Sequence, residues 1–243
     1  MTEFIFFEYL RRRIRNYQYK RIVRPDFSNE QRFTMIYNKN LWGSIESKSG
    51  IGSTLENTTD VRSLLPTILN EFKVKNVFDA PCGDFNWMRD VDLAGVEYLG
   101  GDIVKSLVDS LRLDFSTPGV DFTYHDLTKD RFLKFDLVIN RDCLFHFSYS
   151  DIYAFLGLFL DSGSSYLLTT SHENNNSFTN KDIFSGDFRL LDLFSSPFDF
   201  PKDFLFKIAE EYGLDFPARG IFLWDKDQVE VGYRNLGLHL SGL

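Results

Sequence analysis

The sequence predicts an α/β protein with a doubly wound, mostly parallel sheet, a closing antiparallel strand pair and an N-terminal helical extension. Short apolar runs alternate with helical segments between residues 60 and 171, which indicates parallel crossover units. No Pro/Gly-rich linker divides the 243 residues. We therefore expect a helical extension at 1–37 and one domain at 38–243.

The extension is predicted to form a basic amphipathic helix over residues 3–24, with apolar side chains on one face and arginines on much of the rest. Residues 38–59 are rich in Ser, Gly and Asn and predict a long loop of the kind that often covers a ligand. Residues 60–72 predict a helix, capped at Thr58 or Thr59 and kinked at Pro66.

Five strands are expected to build the parallel sheet. They are predicted at 75–80, 97–100, 120–124, 135–140 and 165–171. A helix at 151–160, with Ser150 as its cap and Ser162-Gly163 as its stop, joins the last two. Residues 203–212 fit either a helix or a strand, and 221–224 fit a strand, so an antiparallel hairpin can close the sheet.

Charge and composition exclude several classes of function. The chain has 27 Lys and Arg against 35 Asp and Glu, a net charge of −8 that disfavours nucleic-acid binding. Residues 1–24 carry +5, which leaves −13 on the rest. The basic helix can dock on the acidic body, pair with a second copy in a homodimer, or rest peripherally on an anionic membrane.

Localisation and metal content follow from simple counts. The longest apolar run, 152–160, is far shorter than the ~20 residues of a membrane span. Arginines follow the first apolar patch, which is the reverse of a secretory signal, so a cytoplasmic location is expected.

The two cysteines, Cys82 and Cys143, are too few for a disulfide framework or a four-thiolate zinc site, and we expect no metal.

The segment after the first strand, 79–84, is the first candidate for ligand binding. In a doubly wound sheet, ligands bind at the carboxyl ends of the strands. Pro81 and Phe85 stand where a dinucleotide fingerprint would have glycines, and the chain has no phosphate-gripping G-x-x-x-x-G-K-[ST] loop. An acidic residue closing a strand before a small turn suits a cofactor that has an ammonium group and a ribose.

Four motifs carry a resemblance to a known family: DAPCGDFNW (79–87), GGDIV (100–104), YHDL (124–127) and INRDCLFHFS (139–148). With these the chain resembles the class I S-adenosylmethionine-dependent methyltransferases, from about Trp42 to Trp224. A W-G-S-x-E-S-x-S-G-x-G-S loop (42–53) and an N-x-D-I-x-x-G-x-x-R segment (180–189) resemble a bacterial subgroup found among surface-polysaccharide functions. The family turn D-x-G-x-G-x-G is kept at Asp79 and Gly83 only.

The resemblance implies a Rossmann-like fold and S-adenosylmethionine as cofactor. Asp102, 19 residues beyond Gly83, can accept both ribose hydroxyls; the alternative is a surface carboxylate. The resemblance implies that Asp126 accepts from the adenine amino group, unless it caps a helix, and that Leu127 covers the ring. The full set of expected cofactor-binding residues is Trp42, Ser53, Asp79, Pro81, Cys82, Gly83, Asp84, Trp87, Asp102, Ile103, Asp126, Leu127 and Arg141.

Catalysis is expected at the end of the fourth strand. His146 is the best candidate for a general base, and Asp142 can orient it; the alternative is a histidine held only by backbone hydrogen bonds. Residues 172–200 predict a loop over the acceptor. The expected acceptor-binding residues in it are His172, Asn180, Asp182, Gly186 and Arg189. For a phosphorylated acceptor, Arg141, Lys181 and Arg189 would act as an anion clamp.

The sequence thus favours O-methylation of a small molecule or of a glycan precursor. A catalytically silent nucleoside-binding or assembly module, recruited by the basic helix, is a second hypothesis. A nicotinamide oxidoreductase is a third, and the missing glycine fingerprint counts against it.

Overall fold

The protein is described by a computed structural model that covers residues 17–93, 95–175, 177–210 and 218–242. Its strands form one seven-stranded sheet of order β3-β2-β1-β4-β5-β7-β6. The strands are β1 (Asn76–Asp79), β2 (Glu97–Asp102), β3 (Val120–Tyr124), β4 (Leu137–Asn140), β5 (Tyr166–His172), β6 (Phe206–Glu210) and β7 (Arg219–Asp225). The predicted fold class is confirmed.

The closing hairpin settles the ambiguous segment 203–212 as a strand. β7 lies between β5 and β6 and is antiparallel to both. Its interior is fully buried, which explains the continuous apolar run at 221–224. The register places Arg219 of β7 opposite His172 of β5. This pairing brings the hairpin to the edge of the sheet where ligands are expected.

Five α-helices lie wholly within the described residues. They are α1 (Asn29–Asn38), α2 (Thr59–Glu71), α3 (Lys105–Phe115), α4 (Tyr149–Ser162) and α5 (Lys226–Ser241). α2 runs continuously through Pro66, and Thr58 precedes it without a capping hydrogen bond, since its hydroxyl donates to Thr54 O. α4 is capped by Ser148 rather than Ser150, because the Ser148 hydroxyl accepts from Asp151 N at 3.2 Å.

α4 and α5 pack against each other on one face of the sheet. The rings of Tyr153 and Tyr233 stack at 4.4 Å between centroids. Gly157 lies under the Tyr233 ring and Gly237 under the Tyr153 ring, so each ring occupies space that a side chain would fill. The absence of side chains at these two glycines lets the helices approach closely.

The predicted basic helix at 3–24 falls largely outside the described residues. The structure describes residues 17–24 of this span, and residues 17–22 are helical. α1, which was not predicted from the sequence, packs against α4 and the residues just before it. Asn29 Nδ2 donates to Asp151 Oδ2 at 2.9 Å, and Phe33 contacts Phe147. No helix in the described ranges has the length and apolar character needed to cross a bilayer.

Candidate functional site

The carboxyl ends of β1, β2, β3 and β4 open onto one cavity of about 370 Å³. Such a volume lies within the range of small-molecule sites. Most of the residues expected at the site line it. They are Trp42, Ser53, Asp79, Pro81, Cys82, Gly83, Trp87, Asp102, Ile103, Asp126, Leu127, Arg141, Asp142, His146 and His172.

The turn after β1 is held in a conformation that favours glycine. Gly83 has φ +56°, and a Cβ there would overlap Ser49 Oγ. Phe85, in a position where the family has glycine, also has a positive φ of 57°. Its ring packs into the core against Tyr98 and Phe122, with centroids 5.3 and 5.0 Å away. The turn therefore leaves the cavity open despite the missing glycine.

Asp79 and Asp102 are buried carboxyls that face this turn. Asp79 Oδ2 accepts from Tyr98 Oη at 2.7 Å, and burial raises the pKa of Asp79 to about 7. Asp102 accepts from Val104 N at 2.9 Å and from Gly83 N at 3.2 Å, and burial raises its pKa to about 6. Desolvation explains both shifts, since it disfavours the charged form. Both groups are suited to receive donors or a cation.

The loop 38–59 is fastened to the turn by Asp84. Its carboxylate accepts from Ser47 Oγ at 2.9 Å and from Lys48 N at 2.8 Å, while Asp84 N donates to Ser49 Oγ. The structure therefore places Asp84 beneath the loop, and it is not among the cavity-lining residues. Its carboxylate oxygens are used to hold the loop that brings Trp42 and Ser53 over the cavity.

Asp126, at the end of β3, lines the cavity but also closes a local turn. Oδ1 accepts from Thr128 N at 2.9 Å and from Thr128 Oγ1 at 2.6 Å, and Oδ2 accepts from Lys129 Nζ at 3.0 Å. Burial opposes ionisation of Asp126, but these hydrogen bonds outweigh it and lower its pKa. Asp126 thus caps a turn and not a helix, and it also lines the cavity.

A buried ion network contributes Arg141, Asp142 and Arg219 to the lining of the cavity. Arg141 donates from Nε and Nη2 to Glu210 Oε1 at 2.9 and 2.7 Å, and from Nη2 to Gly52 O at 2.8 Å. Arg219 donates to Glu210 Oε2 at 3.1 Å and to Asp142 Oδ2 at 2.7 Å. Two arginines are balanced by two carboxylates, and the network ties the loop 38–59 to the hairpin.

Glu210 and Arg219 were not identified from the sequence. They come from β6 and β7, and the segment containing Glu210 fitted a helix as well as a strand. The burial of Glu210, which has only 4% of its surface exposed, follows from the pairing of these strands. Each is a single charged residue in the C-terminal part of the sequence, and no local motif marks either of them as a site residue.

His146 follows β4 in a short 3-10 turn and lines the cavity. Its Nδ1 lies 2.8 Å from Asp187 O, so Nδ1–H donates to this carbonyl. The expectation that Asp142 orients His146 is corrected: Asp142 is engaged by Thr170 and Arg219. Burial lowers the pKa of His146, which is therefore neutral at pH 7 with Nε2 as its acceptor atom.

The loop 172–200 contributes His172 to the cavity, whereas the other expected residues have structural contacts. Asn180 Nδ2 donates to the carbonyls of Asp192 and Ser196, and Asp182 accepts from Tyr149 N. Arg189 donates to the carbonyls of two residues before α4 and lies over the Tyr149 ring. These three, together with Gly186 and the exposed Lys181, do not line the cavity.

Cys82 and Cys143 are buried free thiols, and burial raises the pKa of each. Both line the cavity as small side chains. Within the described residues, no group of three or more His, Cys, Asp or Glu is placed to hold a metal ion.

Comparison with known proteins finds no matching protein-family profile and no matching curated protein. Solved structures do match. The fold is similar to magnesium protoporphyrin IX methyltransferase from Synechocystis PCC 6803 with bound SAH: 13% identity, TM-score 0.56, covering 82% of this chain and 100% of that chain. Human N-acetylserotonin methyltransferase in complex with SAM gives 14% identity and a TM-score of 0.51, covering 82% of this chain and 56% of that chain. The likeness establishes a Rossmann-like methyltransferase fold.

Proposed function

We propose that this chain is an S-adenosylmethionine-dependent methyltransferase that methylates an oxygen of a small molecule or of a sugar in a glycan precursor. One observation carries the proposal. Asp79, Gly83, Asp102 and Leu127, from the ends of three neighbouring strands, line the same cavity as His146. The methyltransferase neighbours crystallised with SAH or SAM support the choice of cofactor.

The residues present fit this cofactor. Asp79 is a buried carboxyl whose hydrogen bond comes from a neutral tyrosine, so it can pair with an ammonium group. The Asp102 carboxylate, held by two backbone N–H groups, can accept ribose hydroxyls. Trp87 and Ile103 supply apolar walls, and Leu127 supplies a cover. When bound, the cofactor provides an electrophilic methyl group.

His146 has the protonation state that a general base needs. Neutral at pH 7, it can take the proton of an attacking hydroxyl at Nε2, while its Nδ1–H stays on Asp187 O. A carbonyl partner fixes the ring in this tautomer. A positioned base contributes ~10²–10⁴-fold to such reactions, and alignment of the reactants contributes the larger part.

Calorimetric titration with S-adenosylhomocysteine and S-adenosylmethionine tests the cofactor. We expect wild-type protein to bind both, and Asp102→Ala to lose at least ~10-fold in affinity because two hydroxyl hydrogen bonds are lost. Asp109→Ala is the matched control, since Asp109 is an exposed carboxyl on α3. No binding by the wild type would exclude the proposal.

Transfer of a labelled methyl group to a pool of hydroxyl compounds tests the activity. Product formed by wild type and lost in His146→Ala, with cofactor binding unchanged, supports an O-methyltransferase. Cofactor binding without transfer to any acceptor would favour the silent binding module.

A further inference from the structure

We propose that the acceptor is an uncharged molecule whose reacting hydroxyl has a second, hydrogen-bond-accepting oxygen beside it, and that His172 Nε2–H binds this second oxygen. The inference rests on the proposed function and names the substrate class of the same site. It is argued from the partners of two histidines, the aromatic rings around them and the charge balance of the cavity wall.

His172 has a fixed tautomer. His172 Nδ1 lies 3.2 Å from Leu191 N and 3.3 Å from Leu191 O, and this carbonyl already accepts from His172 N at 2.8 Å, whereas Leu191 N has Nδ1 as its acceptor. Leu191 is fully buried, so protonating Nδ1 would leave its N–H without an acceptor, which is rare in proteins. Burial, together with the nearby Arg219, lowers the pKa of His172 to about 4. The single ring proton is therefore on Nε2.

His146 has the opposite tautomer. Its Nδ1–H donates to Asp187 O, which leaves Nε2 as an acceptor. The two histidines thus offer the cavity one acceptor and one donor. A hydroxyl that donates to His146 is the reacting group, and an oxygen that accepts from His172 is its neighbour. The donor cannot become an acceptor without breaking the bond to Leu191.

Aromatic rings hold these two histidines at one end of the cavity. The Phe145 ring lies 4.6 Å from His146 and 5.3 Å from His172 between centroids. Phe188 contacts the same two rings at 5.8 and 6.4 Å, and Trp42 lies 5.9 Å from His146. All five residues line the cavity. These walls suit an apolar face on the molecule that carries the two oxygens.

The charges nearby disfavour an anionic acceptor. The guanidinium groups of Arg141 and Arg219 are balanced by Glu210 and Asp142, so they provide no net positive charge. The phosphate clamp expected from Arg141, Lys181 and Arg189 is not assembled, because the last two do not line the cavity. Both histidines are neutral. An acceptor phosphate would have no excess cation to bind.

The test measures methyl transfer to matched acceptors by mass spectrometry. Catechol is compared with phenol, and a methyl glycoside that has a vicinal diol is compared with its deoxy analogue and with glucose 1-phosphate. We expect at least one diol to exceed its one-oxygen analogue about 5- to 100-fold in kcat/KM, the effect of one buried hydrogen bond. The two pairs show whether the diol belongs to an aromatic ring or to a sugar.

His172→Phe separates the donor from a structural role. It is expected to lower kcat/KM for the diol by that factor more than for the one-oxygen analogue, so that the preference disappears. An equal loss on both acceptors would overturn the assignment. His172→Asn, whose amide oxygen can accept from Leu191 N, replaces His172→Phe if the latter does not fold.

The outcomes distinguish this inference from the proposed function. Failure to bind S-adenosylhomocysteine would refute both. Three results, each with cofactor binding intact, would overturn the inference alone. They are transfer to glucose 1-phosphate in preference to every uncharged diol, equal rates on a diol and its one-oxygen analogue, and no turnover of any diol.

Discussion

The buried carboxyl of Asp79 predicts an unusual dependence of stability on pH. A carboxyl whose pKa is raised in the folded state binds its proton more tightly there than in the unfolded chain. This tighter binding of the proton stabilises the folded protein. The stabilisation is fully present below the pKa of the unfolded chain, near 3.8, and is lost as pH rises to about 7, the pKa in the folded protein. Keeping Asp79 ionised in the fold costs about 4 kcal/mol. Asp79→Asn removes this dependence while it keeps the shape.

The magnitude between two convenient pH values follows from the same linkage. Relative to Asp79→Asn, wild-type protein is expected to lose about 2–3 kcal/mol of unfolding free energy between pH 5 and pH 8. Titrating groups that do not interact with Asp79 affect both proteins similarly and cancel in the difference, whereas Asp102, whose negative charge contributes to the raised pKa of Asp79, does not cancel fully. Urea unfolding of both proteins at pH 5, 6, 7 and 8, without cofactor, measures it.

An exposed carboxyl serves as the control for this measurement. Asp109→Asn changes an exposed carboxyl and is expected to follow the wild-type curve within about 0.5 kcal/mol. A constant difference between wild type and Asp79→Asn across the pH range would refute the reasoning, because it would mean that Asp79 is ionised in the fold throughout.

Three further predictions follow from the site. Glu210→Gln removes the carboxylate between two buried arginines and is expected to destabilise the protein by about 3 kcal/mol or more in urea unfolding; Glu230→Gln, in an exposed pair, should change it by under about 0.5 kcal/mol. Gly83→Ala should weaken S-adenosylhomocysteine binding in calorimetry at least ~10-fold, because φ is +56° and the new Cβ meets Ser49 Oγ. Adding Ser49→Gly to this variant should recover part of the lost affinity. Unchanged binding by Gly83→Ala would contradict the close approach of Ser49 to Gly83. The transfer rate should rise with pH through the lowered pKa of His146, below 6.5, and stay level above it; a rate still rising beyond pH 7.5 would identify a different base.

Much of the fold was readable because its strands are short and largely apolar, and the central strands β1, β4 and β5 are buried on both faces. The predicted strand at 120–124 agrees with β3, and the strand at 165–171 ends one residue before β5 does. Helices were harder. α1 and α5 were missed, although both begin with a capping box, at Ser28 and Asp225, because their apolar periodicity is weak beside many polar residues.

More of the residues proposed to bind the cofactor line the cavity than of those proposed in the loop 172–200 to bind the acceptor. Asp79 and Asp102 end their strands and His146 follows β4, and the ends of parallel strands meet at one edge, so local patterns were enough to bring them together. Asn180 and Asp182 lie in a long loop, where a polar residue can face either a ligand or the backbone. In the structure they hold backbone groups.

The sequence by itself determined the parallel sheet, the acidic residues that end its strands and the histidine after β4, because each depends on residues close together in the chain. Only the tertiary structure decided that Glu210 and Arg219 join Arg141 and Asp142 in one ion network, and which proton each cavity histidine carries. Those features depend on strand pairing, on side-chain partners 69 and 77 residues away and on backbone partners 19 and 41 residues away, and no local pattern records such contacts.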